Sequence, residues 1–209
     1  MTFTRMIGTG CNKILLLIVR GLALSKIHPN VLTFVGLLIN IGAAVLLAAG
    51  QFRTAGAVII AAGLFDMVDG RVARETNQVT RFGGFFDSVL DRYSDLALLI
   101  GLLVWYGSIN RSFYVVLTAI VMMGSVMVSY TRSRAENVIP TCKVGFMERP
   151  ERVVLLIIGA LTDRMAPVLW VIALLSNLTV AHRMIFTWQE TKRLEDAQLR
   201  AVTARATKQ

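Results

Sequence analysis

The sequence has few of the residues on which many catalytic and structural motifs depend. Its 209 residues include only two cysteines and two histidines. Cys11 and Cys142 fall in segments predicted to lie near the cytoplasm, so a disulfide framework has little support. His28 and His182 are not spaced as a pair of metal ligands, and no serine, cysteine and histidine pattern indicates a nucleophilic triad. The chemistry must therefore come from other residue types.

Acidic residues are also scarce, and the chain is markedly apolar. There are 13 acidic against 22 basic residues, a net charge of +9, and 55% of the residues are hydrophobic. A nucleic-acid partner would require a basic face on a soluble module, whereas here the basic residues cluster between apolar runs. Anionic lipid on the inner leaflet is the better partner, and the composition predicts one membrane domain without nucleic-acid binding.

Six apolar runs with few charges are candidate transmembrane helices. Their connections are short, so consecutive helices form antiparallel hairpins and the predicted fold is an all-α bundle of six transmembrane helices. The runs cover residues 31–50, 55–65, 96–106, 112–130, 153–162 and 167–181. We assign residues 29–189 to this membrane domain.

The two ends of the chain differ from the bundle. Apolar residues in 1–28 recur at helical spacing but are interrupted by Arg5, Lys13 and Arg20, which predicts an amphipathic helix lying on the membrane interface. The alternatives are a frayed leader with no role or a cleaved signal peptide, and the segment lacks the small-residue cleavage site of the latter. Residues 190–209 are predicted to be a cytoplasmic polar tail that continues the last helix.

The basic residues predict the orientation of the bundle. If both termini are cytoplasmic, only Arg53, Arg111 and Arg164 of the 22 basic residues lie outside. This asymmetry satisfies the positive-inside rule and predicts a cell-membrane protein whose active site faces the cytoplasm.

Two charges are predicted to lie below the membrane surface. Arg152 is twelve residues from Arg164, and Asp66 is thirteen residues from Arg53. These separations correspond to about 18 and 20 Å of helix, against roughly 30 Å of hydrocarbon. Charges at this depth normally pair or bind ions, so we expect a polar cavity open to the cytoplasm.

Four aspartates form the strongest pattern in the chain. Asp66 and Asp69 are three residues apart, and Asp87 and Asp91 are four apart, so each pair shares one helix face. Their mutual repulsion in a low-dielectric site predicts divalent cations with oxygen ligands, either Mg²⁺ or Mn²⁺. Asp95 continues the second stripe. It could be a fifth ligand, but we favour a structural partner for Arg92 or for a neighbouring helix.

Small residues accompany the aspartates. Gly70, Ala73 and Gly83 remove side-chain bulk, so a ligand's phosphates or another helix can approach the backbone. Arg74 can then meet a phosphate with a fork of donors.

The pattern D-x-x-D-G-x-x-A-R-x8-G-x3-D-x3-D, filled from Asp66 to Asp91, resembles the signature of the CDP-alcohol phosphotransferases. The resemblance implies a homodimer with two metal ions per active site, held by Asp66, Asp69, Asp87 and Asp91, with Asp91 as the general base. Residues implied at the CDP-lipid site are Pro29, Asn30, Thr33, Asp69, Gly70, Ala73, Arg74, Thr80 and Gly83. The implied reaction moves a phosphatidyl group from CDP-diacylglycerol to an alcohol and releases CMP.

The later segments resemble the phosphatidylinositol-phosphate synthase branch of this family. They are residues 129–136 and 145–152, and His182, Arg183 and Trp188. The resemblance implies inositol 1-phosphate as acceptor, with its phosphate held by Arg132, Arg149 and Arg183. Lysine is frequent where this chain has Arg132, which keeps the charge but changes the contact geometry.

Two other functions fit parts of the sequence. Glycerol 3-phosphate is also anionic, so charge alone does not exclude a phosphatidylglycerol-phosphate synthase. Intramembrane carboxylates also mark ion pathways, as in a divalent-cation transporter. A transporter predicts carboxylates at several depths of the membrane, whereas these four gather on the inner side.

Overall fold

The computed structural model describes residues 29–75 and 79–206, except for the side chains of residue 29, residues 67–75 and most residues after 200. All regular secondary structure in this part of the chain is helical, which confirms the all-α prediction. The predicted interfacial helix at 1–28 lies outside the described residues. The helices are α1 (Pro29–Ala48), α2 (Phe52–Glu75), α3 (Arg81–Ser108), α4 (Ser112–Ala135), α5 (Arg149–Leu161) and α6 (Met165–Ala206).

Tight turns join the helices at the end of the bundle away from the aspartates. Three or fewer residues separate α1 from α2, α3 from α4, and α5 from α6. Gly50, Asn110 and Asp163 occupy these turns with positive φ angles of 75°, 55° and 54°. Glycine, asparagine and aspartate tolerate this left-handed conformation better than other residues. The predicted hairpins are therefore present.

The helices pack around one apolar core. Helix α1 packs on α2 and α3, α4 on α3 and α6, and α5 on α2 and α6. Leu47, Leu102, Val121 and Leu169 are fully buried in this core. At the contact between α1 and α3, a Cβ atom on Gly101 would lie 2.3 Å from a backbone oxygen of α1. Glycine therefore permits this close approach of the two helices.

The outer surface of the bundle is strongly apolar. Val45, Phe113, Val116 and Leu174 are each about 60% exposed, and such a surface is typical of contact with lipid. Three described helices are long and apolar enough to cross a membrane, over Asn30–Ala48, Ser112–Ala135 and Met165–Arg200.

Helices α2 and α3 extend well beyond their apolar runs on the side where the aspartates lie. Helix α2 continues ten residues past position 65, and α3 begins fifteen residues before position 96. Helix α5 has 13 residues, or about 20 Å, less than the roughly 30 Å of hydrocarbon. Polar segments of α2 and α3 and the short α5 together leave room for a polar site at this end of the bundle.

Candidate metal and substrate site

Three carboxylates from two helices meet at one point. Asp66 lies on α2, whereas Asp87 and Asp91 lie one turn apart on α3. One carboxylate oxygen from each lies within 4.8 Å of the others, and all three residues are partly buried. The helical spacing in the sequence therefore predicts their convergence correctly. The side chain of Asp69 lies outside the part of the chain that the structure describes.

The guanidinium of Arg149 lies inside this carboxylate group. Its Nη1 atom is 2.8 Å from Asp66 Oδ2 and 2.9 Å from Asp91 Oδ1. Arg149 is the first residue of α5, which packs against α2, so the fold brings its cation to the carboxylates. The sequence assigns Arg149 to the acceptor phosphate instead. In the structure, its charge compensates that of the carboxylates.

A second, deeper ion pair lies next to this group. Asp95 Oδ2 accepts a hydrogen bond of 2.9 Å from Arg152 Nη2, and Asp95 Oδ1 accepts one of 3.3 Å from Arg149 Nε. The Asp95 and Arg152 residues are only 6% and 4% exposed. Asp95 is thus the structural partner of a neighbouring helix. The Arg92 guanidinium, the other partner considered, donates to the backbone carbonyl of Ser88.

We predict that Asp95→Ala lowers the free energy of unfolding by about 3 to 5 kcal/mol, because it leaves the buried Arg152 cation without its carboxylate. The control variant, Arg53→Ala, breaks the ion pair between Arg53 and Asp163. These two side chains are 75% and 48% exposed, respectively. This control should change stability by less than about 1 kcal/mol. Thermal unfolding of the purified variants in detergent measures both, and equal effects would contradict the structural role of Asp95.

A polar cavity of about 520 Å³ borders the carboxylate group. Arg149 lines it together with Arg132 and Arg183, the other two arginines that the sequence assigns to the acceptor phosphate. Ser129, Ser133, Glu136 and Asn137 from the end of α4 also line it. The cavity thus combines guanidiniums with hydroxyl, amide and carboxylate groups, which suits an anionic ligand that carries hydroxyl groups.

Glu148 links two of these arginines. Its Oε1 atom lies 2.9 Å from Arg183 Nη2 and 3.2 Å from Arg132 Nη1. Arg132 Nε also donates to Glu136 Oε1 at 3.1 Å. At the start of α5, the Glu151 carboxylate accepts a hydrogen bond of 3.0 Å from the Glu148 N–H. The bridging role depends on packing between α4, α5 and α6, which the local pattern does not reveal.

Arg183 is held by hydrogen bonds to α4 and to the loop between α4 and α5. It is 1% exposed, its Nε donates to the carbonyl oxygen of Val144 at 2.8 Å, and its Nη1 donates to that of Val128 at 2.5 Å. The same loop turns at Gly145, which has a φ of 132°. A Cβ atom at this residue would lie 2.4 Å from the Thr179 side chain. Because these contacts fix its orientation, Arg183 can present one edge of its guanidinium to the cavity without first becoming ordered.

Three residues assigned to the CDP lipid lie together at the start of α3. Thr80 caps the helix, since its Oγ1 accepts a hydrogen bond of 2.9 Å from the Gly83 N–H. A Cβ atom on Gly83 would lie 3.0 Å from Thr80 Oγ1 and 3.5 Å from Asn30 Oδ1. The absence of a side chain at Gly83 thus keeps open the space between these two polar groups.

The other residues assigned to the CDP lipid are placed less completely. Thr33 lies one turn after Asn30 on α1 and is 8% exposed. The side chains of Pro29, Asp69, Ala73 and Arg74 lie outside the described part of the chain. Gly70 follows Asp69 on α2.

The residues present fit a hard divalent cation. Carboxylate oxygens are the ligands that Mg²⁺ and Mn²⁺ prefer, and three of them converge from rigid helices. The group binds a guanidinium through two of its carboxylates, so it already accommodates a positive charge. Asp66, Asp87 and Asp91 are therefore the described residues that would hold the metal.

Comparison with known proteins adds independent information. The family model described as CDP-alcohol phosphatidyltransferase matches residues 26–190. An archaetidylinositol phosphate synthase from Methanothermobacter thermautotrophicus is 37% identical over 168 residues, covering 77% of this chain and 83% of that protein.

Two solved structures have the same fold. The phosphatidylinositol phosphate synthase of Mycobacterium tuberculosis with CDP-DAG bound superposes with a TM-score of 0.79 at 32% identity, covering 84% of this chain and 94% of the other. The same enzyme in complex with manganese and citrate gives a TM-score of 0.75, also at 32% identity, and covers 82% of this chain and 87% of the other.

Proposed function

Because this chain belongs to the CDP-alcohol phosphatidyltransferase family, we propose that it transfers the phosphatidyl group of CDP-diacylglycerol to inositol 1-phosphate. The products are phosphatidylinositol phosphate and CMP. The structural neighbour with CDP-DAG bound and the synthases of inositol phospholipids among the relatives support this choice of donor and acceptor.

The observation that carries the proposal is the juxtaposition of two sites of opposite charge. The carboxylates of Asp66, Asp87 and Asp91 converge beside a cavity lined by four arginines. The first group suits metal ions, which would neutralise the donor's pyrophosphate, and the second suits an anionic acceptor. A cation transporter would need the carboxylates but not the cavity with its guanidiniums.

The proton of the acceptor hydroxyl passes to Asp91 in this proposal. The acceptor oxygen forms a bond to the lipid-linked phosphorus, and the bond from that phosphorus to the oxygen of CMP breaks. Asp91 is suited to the role because its carboxylate lies in the metal group and, through Arg149, next to the cavity. No covalent intermediate with the protein is needed, since phosphoryl transfer depends mainly on positioning and charge neutralisation.

Bound metal supplies a positive charge that polarises the donor pyrophosphate and stabilises the leaving CMP. We propose two Mg²⁺ or Mn²⁺ ions, held by Asp66, Asp69, Asp87 and Asp91. The structural neighbour in complex with manganese supports a divalent cation. On the donor side, we assign the CDP moiety to the space between Asn30, Thr80 and Gly83, extended by Pro29, Thr33, Gly70, Ala73 and Arg74.

On the acceptor side, Arg132, Arg149 and Arg183 hold the phosphate of inositol 1-phosphate. Ser133, Glu136 and Asn137 of the same cavity are available for the ring hydroxyls. A six-carbon polyol has more hydroxyls to satisfy than glycerol does, and the number of polar groups at the end of α4 therefore favours inositol phosphate over glycerol 3-phosphate.

The membrane arrangement completes the proposal. We propose a membrane domain of residues 29–189, which contains α1 to α5 and most of α6, with an interfacial helix at 1–28 and a cytoplasmic tail at 190–209. In this proposal the site and both termini lie on the cytoplasmic side of the cell membrane, and the basic residues at the aspartate end support this orientation. The protein works as a homodimer.

An acceptor panel with the purified protein tests this function. The protein is incubated with Mg²⁺ or Mn²⁺, with CDP-diacylglycerol or its ether-linked archaeal analogue, and with inositol 1-phosphate, inositol or glycerol 3-phosphate. Mass spectrometry of the lipid product should show inositol phosphate transferred and unphosphorylated inositol ignored. Use of glycerol 3-phosphate with inositol 1-phosphate ignored would contradict the acceptor assignment.

A further inference from the structure

Arg149 occupies the space where the proposed function places a metal ion. A single nitrogen, Nη1, lies 2.8 Å from Asp66 and 2.9 Å from Asp91. Both carboxylates are among the three that could hold a cation. A metal ion bound to these oxygens would exclude the guanidinium from its present position. Otherwise two positive charges would share one small, partly buried space.

Arg149 also borders the cavity assigned to the acceptor phosphate, beside Arg132 and Arg183. The Arg149 side chain is 29% exposed, whereas Arg183 is only 1% exposed. Arg183 also donates hydrogen bonds to two backbone carbonyls and to Glu148. Of the two, Arg149 has the greater freedom to change partner. While its Nη1 atom neutralises Asp66 and Asp91, that part of the guanidinium is not available to a phosphate.

We propose that Arg149 and the divalent metal compete for Asp66 and Asp91, so that metal binding releases Arg149 to bind the phosphate of the acceptor. This inference rests on the proposed function and adds an order to it: metal first, acceptor second. Asp95 is the pivot. Its Oδ1 atom accepts from Arg149 Nε, the nitrogen nearest the chain, while the terminal nitrogens exchange partners.

Asp95 can serve as a fixed pivot because it is itself anchored. The buried Arg152 holds its other oxygen at 2.9 Å, and this pair stays in place whichever partner Arg149 has. Thermodynamic linkage then requires the coupling to be reciprocal: metal increases the affinity for the phosphate, and the phosphate increases the affinity for metal by the same factor. Without metal, the carboxylates remain neutralised and the acceptor binds weakly.

Binding of Mn²⁺ to the full-length protein in detergent tests the competition without any turnover. The free ion is followed by its electron paramagnetic resonance signal. Arg149→Gln should bind Mn²⁺ about tenfold more tightly than the wild type, because the internal competitor is gone. Arg132→Gln removes the same charge from the same cavity but contacts none of the three carboxylates, so its affinity should change by less than about threefold. Equal or weaker Mn²⁺ binding by Arg149→Gln would overturn the proposal.

The coupling is tested by titrating Mn²⁺ with and without inositol 1-phosphate, in the absence of donor lipid. In the wild type, the phosphate compound should tighten Mn²⁺ binding at least about fivefold, and unphosphorylated inositol should not. This measurement needs no variant, so it decides the matter even if Arg149→Gln fails to fold. Absence of the shift in the wild type, or its persistence in a folded Arg149→Gln variant, would overturn the proposal.

The two proposals fail in different ways. If the wild type makes the inositol phospholipid but Arg149→Gln binds Mn²⁺ no more tightly, the function holds and the competition is wrong. If Arg149→Gln binds Mn²⁺ more tightly and inositol 1-phosphate shifts the metal affinity but no lipid product forms, the competition holds and the transfer reaction is wrong.

Discussion

Replacing Asp91 with asparagine is expected to lower metal-dependent CMP release by about three orders of magnitude while leaving the folded protein intact. Asparagine keeps the size of the side chain but can neither accept the acceptor's proton nor contribute a negative charge to the metal group. CMP release from CDP-diacylglycerol with inositol 1-phosphate measures the effect. Asp196→Asn makes the same chemical change on an exposed part of α6 and should leave activity unchanged.

A metal titration separates the two roles of Asp91. Asp66→Asn removes a metal ligand but leaves the proposed base, so higher Mg²⁺ or Mn²⁺ concentrations should restore part of its activity. Asp91→Asn should stay inactive at every metal concentration. Turnover at the wild-type rate in Asp91→Asn, or full recovery with excess metal, would refute its assignment as the base.

Filling the space at Gly83 is expected to have the second-largest effect. Gly83→Leu places a side chain between Thr80 Oγ1 and Asn30 Oδ1. A Cβ atom at position 83 would lie 3.0 Å from the first of these atoms and 3.5 Å from the second. We expect kcat/KM for CDP-diacylglycerol to fall about 100-fold, because displacement of a bound substrate by about 1 Å has effects of that size. Steady-state kinetics with varied donor concentration measures it.

The adjacent glycine provides a matched control. Gly84 lies on the same turn of α3, and a Cβ atom there meets nothing within 4 Å. Gly84→Leu should therefore keep kcat/KM within about threefold of the wild type, since no substrate group is displaced. Mn²⁺ affinity should be unchanged in both variants. If both leucine variants lose activity equally, the space at Gly83 has no special relation to the donor.

The sequence predicts the convergence of the aspartates because this depends on short-range geometry. Spacings of three and four residues predict that Asp66 and Asp69, and Asp87 and Asp91, share single helix faces, and the short connection predicts that these faces lie close together. The distance count from Arg164 likewise predicts that Arg152 is buried. These inferences require only the dimensions of a helix and of a bilayer.

The partners of the charged side chains could not be predicted in the same way. Asp66 and Arg149 are 83 residues apart, and their contact depends on how α5 packs against α2. The sequence assigns Arg149 to the acceptor phosphate by resemblance, a role that concerns the loaded site. In the structure, the Arg149 guanidinium neutralises the carboxylates of Asp66 and Asp91. Glu148 and Arg183 form a comparable pair, 35 residues apart, and the local pattern gives no sign of it.

Adjacent residues at the start of α5 thus neutralise both halves of the site. Glu148 contacts the guanidiniums of Arg132 and Arg183, and Arg149 contacts the carboxylates of Asp66 and Asp91. Buried charges are destabilising unless they are paired, so these contacts maintain the polar site within an apolar bundle. Substrates and metal would replace internal partners of the same sign.

Anomalous X-ray diffraction from crystals grown with Mn²⁺ tests the central claim most directly. We predict an anomalous peak within coordination distance of carboxylate oxygens of Asp66, Asp87 and Asp91, with the Arg149 guanidinium no longer between Asp66 and Asp91. A catalytically active protein whose crystals show no manganese at these three carboxylates would contradict the account.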